Sequence, residues 1–243
     1  MADDLLITCE HGGNEIPEPY RPLFDSAEYL TWLDSHRGYD AGALTVAGEI
    51  AARFEAPLIA ATTSRLLVDL NRSLGHPRLF SAATRAAPAE VRQRIIEVHY
   101  RPYRTQVYER IRAIVEEGRR VIHLSCHSFT PELDGITRTA DIGLLYDPAR
   151  PDEAAFCGRW KEALRQRAPA LKVRRNYPYA GKNDGHTTEL RRRFPPRAYL
   201  GIELEINQRH LAEGDRHWAV LREHIIESLE MILRSLGGAD SSP

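Results

Sequence analysis

The chain has 243 residues, 28% of them charged, with 33 Lys and Arg against 34 Asp and Glu for a formal net charge of -1. That length suits one large domain, and the balanced charge argues against a general nucleic-acid binder, which needs a basic excess. No run approaches the roughly 18 consecutive apolar residues of a membrane span. The start Met-Ala-Asp-Asp-Leu-Leu lacks the pattern of a signal peptide, and the cysteines Cys9, Cys126 and Cys157 form no Cys-x-x-Cys, so a reducing, cytoplasmic setting without disulfides is expected.

In chain order, short apolar runs alternate with helical periods. Leu5 to Cys9 reads as a buried strand and the proline-bearing stretch from Glu10 to Arg37 as a loop. Pro57 to Ala61 and Leu66 to Leu70 read as strands, and Ser73 to Pro88 as a loop. Val91, Ile95, Val98, Val107, Ile111 and Ile114 fall near a 3.6 period, with Pro102 breaking or kinking the helix. Val121 to Cys126 and Ile142 to Tyr146 read as strands, Asp152 to Arg167 as a helix, Arg175 to Gly185 as a polar loop, and Tyr199 to Ile206 as a last strand. Leu221, Ile225, Leu229, Ile232 and Leu236 make the apolar stripe of a final helix, and Gly237 to Pro243 reads as a disordered tail. His99, His210, His217 and His224 lie in helical patterns without partner spacing and read as solvated or core-edge residues. Strands without clean alternation suit a sheet covered on both faces. The expectation is one α/β domain over residues 1–236, three layers αβα around a mostly parallel or mixed sheet.

In such sheets ligands bind beyond the carboxyl ends of strands, and there the ionisable residues gather. The first strand runs into Glu10-His11-Gly12-Gly13, and the strand from Val121 into Ser125-Cys126-His127-Ser128. The Leu66 run is preceded by Arg65 and ends in Asp69-Leu70-Asn71-Arg72. In the last strand a period of two puts Glu203, Glu205 and Asn207 on one face. His36 and Asp40 sit in a loop before a helix, where Asp40 reads equally as a helix cap. Each piece has a bland reading: a strand-end His is commonly structural, and paired Glu on a strand commonly faces water. Their joint position points to metal-assisted hydrolysis. Zinc takes imidazole nitrogen and carboxylate oxygen and activates water. A Glu moves protons, an Arg supports an oxyanion, and a second Arg grips a carboxylate. His11, His127, a carboxylate, Glu205, Arg65 and Arg72 supply these types. There is no Gly-x-Ser-x-Gly, Walker A, Gly-x-Gly-x-x-Gly or His-Glu-x-x-His.

Five motifs in order resemble the N-formylglutamate amidohydrolase family. They are Cys9-Glu10-His11-Gly12-Gly13-Asn14-x-Ile16-Pro17, His36-x-x-x-Asp40-x-Gly42, Val68-Asp69-Leu70-Asn71-Arg72, Cys126-His127-Ser128-Phe129-Thr130 and Glu203-x-Glu205-x-Asn207. That family is similar in turn to zinc carboxypeptidases and aspartoacylase, which implies a zinc-exopeptidase-like (phosphorylase/hydrolase-like) αβα fold. The resemblance implies His11 and His127 as zinc ligands, Glu205 as general base, Arg65 as oxyanion support, and Asn71 with Arg72 on the substrate carboxylate. The third ligand differs: aspartoacylase-like enzymes have His-x-x-Glu, whereas position 14 here is Asn. Asp40 and Glu15 are the two choices, Asp40 favoured, with His36 as an outer partner. The segment from Asn176 to Glu189 resembles the family's substrate-side loop, offering Asp184 and His186 to the substrate or only an exposed connection. The implied activity is hydrolysis of a small N-acyl amino acid such as N-formyl-L-glutamate, as in histidine degradation, with zinc or another divalent metal. Another zinc deacylase or peptidase, or a non-catalytic carboxylate binder, would use the same residues. Oligomeric state is not legible.

Overall fold

The computed structural model describes residues 3–238. Strands β1 (Asp3–Cys9), β2 (Leu58–Ala60), β3 (Arg120–Phe129), β6 (Ile142–Leu145), β7 (Val173–Arg175) and β8 (Tyr199–Asn207) form a sheet in the order β2-β1-β3-β8-β6-β7. The first four strands in that order run parallel; β6 is antiparallel to β8, and β7 follows β6 in parallel. The sheet is therefore mixed. A two-stranded hairpin, β4 (Glu132–Leu133) with β5 (Ile136–Thr137), stands apart from it. Its tip is Asp134-Gly135 with φ of 51° and 75°, the chemistry of a tight hairpin turn.

Helices cover both faces, as the unalternating strands require. One apolar cluster joins Ile7, Cys9, Ile122, Leu124, Leu200, Ile202 and Leu204 of the strands to α2 (Ala43–Arg53), α6 (Pro151–Arg167) and α9 (Asp215–Gly238). The other joins Leu6, Val121 and Tyr199 to α5 (Arg101–Glu116), α7 (His186–Arg193) and the buried run Leu66 to Leu70. Shorter helices α1 (Ala27–Leu33), α3 (Ala82–Ala86), α4 (Ala89–Ile95) and α8 (Arg209–Ala212) lie in the connections. The three free cysteines are all buried. No helix among the described residues is long and apolar enough to cross a membrane.

Three expectations change. Leu66 to Leu70 is a buried turn, not a strand: the Ser64 hydroxyl accepts from the Leu66 N–H (3.2 Å) and the Asp69 carboxylate from the Asn71 N–H (2.9 Å). These short polar side chains offer the backbone local partners that outcompete a ladder. The kink expected at Pro102 is a π-helical turn, Ile96–Tyr100, which joins α4 to α5 without a break; Pro102 follows it directly, so the widened turn sits where a proline ring and its missing N–H disturb a helix. Gly237 and Gly238 continue α9, while residues 239–243 of the expected tail lie outside the described residues.

The two sheet faces differ, and this positions the site. Beneath α2, α6 and α9 the strands are apolar along their length. On the other face they begin apolar, with Leu6, Val121 and Tyr199, and turn polar toward their carboxyl ends. In register, Thr8 lies beside Ser125, Ser125 beside Glu203, and His127 beside Glu205.

Candidate active site

The polar strand ends open into a cavity of about 490 Å³. His11 follows β1, and the Asp40 N–H donates to the His11 carbonyl (2.9 Å), which holds the loop before α2 against that strand end. Asp40 is not the helix cap: Gly42 occupies that position with φ of 79°, and no side chain bonds the first turn. The Asp40 carboxylate instead meets His127 Nδ1 at 2.8 Å and His11 Nδ1 at 3.3 Å. His11, Asp40 and His127 are buried, and one donor atom from each lies within 4.8 Å of the other two.

Each imidazole is also held from behind. His11 Nε2 lies 2.8 Å from Asp69 Oδ1. His127 Nε2 lies 2.9 Å from the Ser125 hydroxyl, which donates to Glu10 Oε2 at 2.7 Å. Arg65 bridges the two carboxylates, reaching Asp40 Oδ1 at 3.2 Å and Asp69 Oδ2 at 2.8 Å. These neighbours hold the Asp40 and Asp69 carboxyls far below their ordinary range despite burial: His11, then His127, then Arg65 act on Asp40, and Arg65 then His11 on Asp69. Asp40 raises His127 to about 10 against the effect of burial. Glu205 has the opposite fate. Burial, reinforced by the Asp40 and Glu203 carboxylates, pushes it up to about 8, with His127 opposing.

The remaining expected residues divide. Asn71 and Arg72 line the cavity. Asn71 Oδ1 accepts from the His186 N–H (2.6 Å), leaving Nδ2 3.4 Å from His127 Nε2. Arg72 Nη1 donates to the Asp184 carbonyl (2.7 Å), and the Asp184 carboxylate accepts from the Ser73 N–H (3.0 Å). Asp184 thus ties the 176–185 loop to the Arg72 turn, and both line the cavity.

Four readings are corrected by position. His186 does not line this cavity: it is buried at the start of α7 with Nδ1 3.2 Å from Glu10 Oε1. Glu15 is exposed, accepts from the Thr62 hydroxyl (2.9 Å) and lines a different depression, so it is not brought to His11. His36 is exposed at the rim, while the outer bonds to the imidazoles come from Asp69 and Ser125. His210 and His217, read as partnerless, lie with His210 Nδ1 2.7 Å from His217 Nε2, and His210 Nε2 is 2.7 Å from Asp141. A break at Gly214, with φ of 97°, separates α8 from α9 and hides their pairing from a helical period.

The sequence reading gave no role to Asp69, Glu10, Ser125 or Arg138. The first two sit inside the quoted motifs, and Ser125 shares a strand face with His127 by simple alternation. Arg138 follows β5 and carries no signal in the sequence.

A family model described as N-formylglutamate amidohydrolase matches residues 3–212. Among solved structures, the gene product Atu2144 from Agrobacterium tumefaciens is 30% identical with a TM-score of 0.79, covering 96% of this chain and 92% of that one. The N-formylglutamate amidohydrolase from Ralstonia eutropha JMP134 has the same fold at 20% identity and a TM-score of 0.70, covering 98% of this chain and 95% of that one. No curated protein matches. With the family model spanning most of the sequence and the five motifs gathered at one sheet edge, the chain belongs to the N-formylglutamate amidohydrolase family, hydrolases that act on amide bonds.

Proposed function

We propose that this protein is a cytoplasmic, metal-dependent hydrolase that cleaves the amide bond of a small N-acyl amino acid such as N-formyl-L-glutamate. The observation that carries the reading is the convergence of His11, Asp40 and His127 on one point of the cavity, with buried Glu205 paired to His127 across the sheet. Two imidazole nitrogens and one carboxylate oxygen suit a divalent cation, and zinc is the ion we assign. Both rings turn Nδ1 toward Asp40 while an outer acceptor or hydroxyl holds Nε2, which fixes tautomer and aim as at metal centres. When bound, the cation supplies a Lewis acid that polarises the acyl carbonyl and lowers the pKa of water to roughly 7.

The chain's own groups do the rest. Glu205 takes the proton of the attacking water and returns it to the leaving amine. Burial raises its carboxyl from the usual carboxylate range toward neutrality, which suits a group that must both take and return a proton. Arg65, fixed by Asp40 and Asp69, presents its remaining donors to the oxyanion. Asn71 and Arg72 receive the α-carboxylate; Arg72 Nε has no hydrogen-bond partner among the described residues and only a 4.0 Å ion pair with Asp69. Asp184 holds Arg72 in place rather than touching substrate.

The test is formate release from N-formyl-L-glutamate by zinc-loaded protein, with elemental analysis alongside. About one zinc per chain, lost in His11→Ala and in His127→Ala, is expected. A zinc-loaded protein that turns over no member of an N-acyl amino acid panel would overturn the hydrolase reading.

A further inference from the structure

Four arginines line the cavity: Arg65, Arg72, Arg78 and Arg138. Arg65 is paired with Asp40 and Asp69, and Arg72 lies 4.0 Å from Asp69. Arg138 is different. Its relative exposure is only 9%, and its Nη1 is enclosed with no hydrogen-bond partner among the described residues. Nη2 donates to the Tyr179 hydroxyl at 3.2 Å. The guanidinium carbon lies 5.8 Å from the centre of the Phe129 ring and 5.2 Å from that of Tyr179. Aromatic faces steady a cation, but they do not supply the acceptors that a buried guanidinium needs. The backbone is fixed as well: the Arg138 N–H donates to Pro131 (2.8 Å), and its carbonyl accepts from Asn207 Nδ2 (3.0 Å). A rigidly held, enclosed cation at the edge of a substrate cavity is half of an ion pair.

We propose that the other half is the substrate's side-chain carboxylate, so that Arg138 selects an acidic amino acid of glutamate length. This rests on the hydrolase reading above, takes its glutamate substrate from there, and assigns the residue that recognises the acidic side chain. The strand register is compatible with that length. His127 pairs with Glu205, and Phe129 with Asn207, one rung further toward the strand ends. Arg138 is anchored at that outer rung through Asn207 and the Phe129 ring. Two residues along a strand span roughly 6.6 Å. In N-formylglutamate five bonds of about 1.5 Å separate the formyl carbon from the side-chain carboxyl carbon, roughly 6 Å when extended. Aspartate falls short by one methylene. The surrounding field agrees: after burial, the charges of Arg37, Arg138 and Arg65 push the His36 imidazole at the rim down, as expected of a mouth that attracts an anion.

The experiment is binding by calorimetry to zinc-loaded protein carrying Glu205→Gln, in which the ligand is not consumed, together with kcat/KM in the parent. Ligands are N-formyl-L-glutamate, N-formyl-L-glutamine and N-formyl-L-aspartate, all sharing the α-carboxylate. Glutamate is expected to bind on the order of 10- to 100-fold more tightly than the isosteric glutamine, with aspartate between them. Arg138→Met is expected to reduce the glutamate–glutamine ratio to within about threefold by weakening glutamate alone, and Arg138→Lys to restore part of it. Equal binding of glutamate and glutamine by the parent would overturn the assignment even if Arg138→Met failed to fold. Equal weakening of all three ligands by Arg138→Met would also overturn it, giving Arg138 a structural or α-carboxylate role. Discrimination in binding without turnover in the parent would uphold Arg138 and remove the hydrolase reading instead.

Discussion

His123 and His127 stand four residues apart on the same face of β3, both buried, yet their chemistry diverges. His127, at the open end, meets the Asp40 carboxylate and is raised to about 10. His123, two rungs deeper, is bonded to the Thr8 hydroxyl (2.8 Å) and the Tyr199 hydroxyl (2.7 Å), and burial lowers it to about 3. Its neighbour His186 is lowered to about 4, by burial and then by Arg104. The deeper region is a buried polar floor whose neutral rings are held by hydroxyls and by the Glu10 carboxylate; the outer one is a cluster of charges facing a cavity. The state of each imidazole follows from which neighbour arrives from elsewhere in the chain. For His127 it is a carboxylate from the loop before α2, and for His123 a phenol from β8.

The largest expected effect comes from emptying the outer cluster. His11→Ala and His127→Ala should each lose zinc and lower kcat/KM by at least about 10³-fold, read by elemental analysis and formate release. His123→Gln, in the same strand, should keep its zinc. Next, Glu205→Gln should retain zinc but lower kcat by about 10²- to 10⁴-fold, and a loss below tenfold would remove Glu205 as the base. Asp69→Asn removes the negative charge behind His11 and, with it, half of the clamp on Arg65. Zinc affinity should fall by about 10- to 100-fold, measured by competition with a chelating dye.

The smallest effect belongs to the floor. The folded value of His123, about 3, lies below its ordinary 6.5, so at pH 7 both folded and unfolded chains hold it neutral and stability is fully present. Below 6.5 the unfolded chain binds a proton that the folded chain does not, and stability is lost progressively as pH falls toward 3. At pH 5 the loss from this group is about 2 kcal/mol. Urea unfolding at pH 7 and pH 5, with and without His123→Gln, measures it: the variant should be weaker at pH 7 but fall less on acidification. Parallel curves for the two proteins would show that His123 does not titrate as described.

Much of this was legible in the sequence because it is local. Apolar runs gave β1, β3, β6 and β8, and the 3.6 periods gave α5, α6 and α9. A period of two put Glu205 on one face with Glu203 and Asn207. Other features escaped because their causes are distant or oppose the local pattern. Leu66 to Leu70 has the composition of a strand, but Ser64 and Asp69 bend it into a turn. His186 sits in a polar, glycine-flanked loop that suggests a substrate contact, but α7 turns it inward onto Glu10. Arg138 follows an exposed hairpin, and only the packing of Phe129, Tyr179 and Asn207 around it makes it a buried cation.

The sequence by itself determined the layered α/β architecture and which residue types cluster at strand ends, since both follow from periodicity and alternation along one chain. Only the tertiary structure decided that Asp40 rather than Glu15 faces both imidazoles, that Asp69 stands behind His11, and that His127 meets a carboxylate while His123 meets hydroxyls. Those outcomes depend on contacts between segments 29 to 115 residues apart, where burial and the opposing charge set each group's state. A linear pattern does not encode which side chains will meet across such separations.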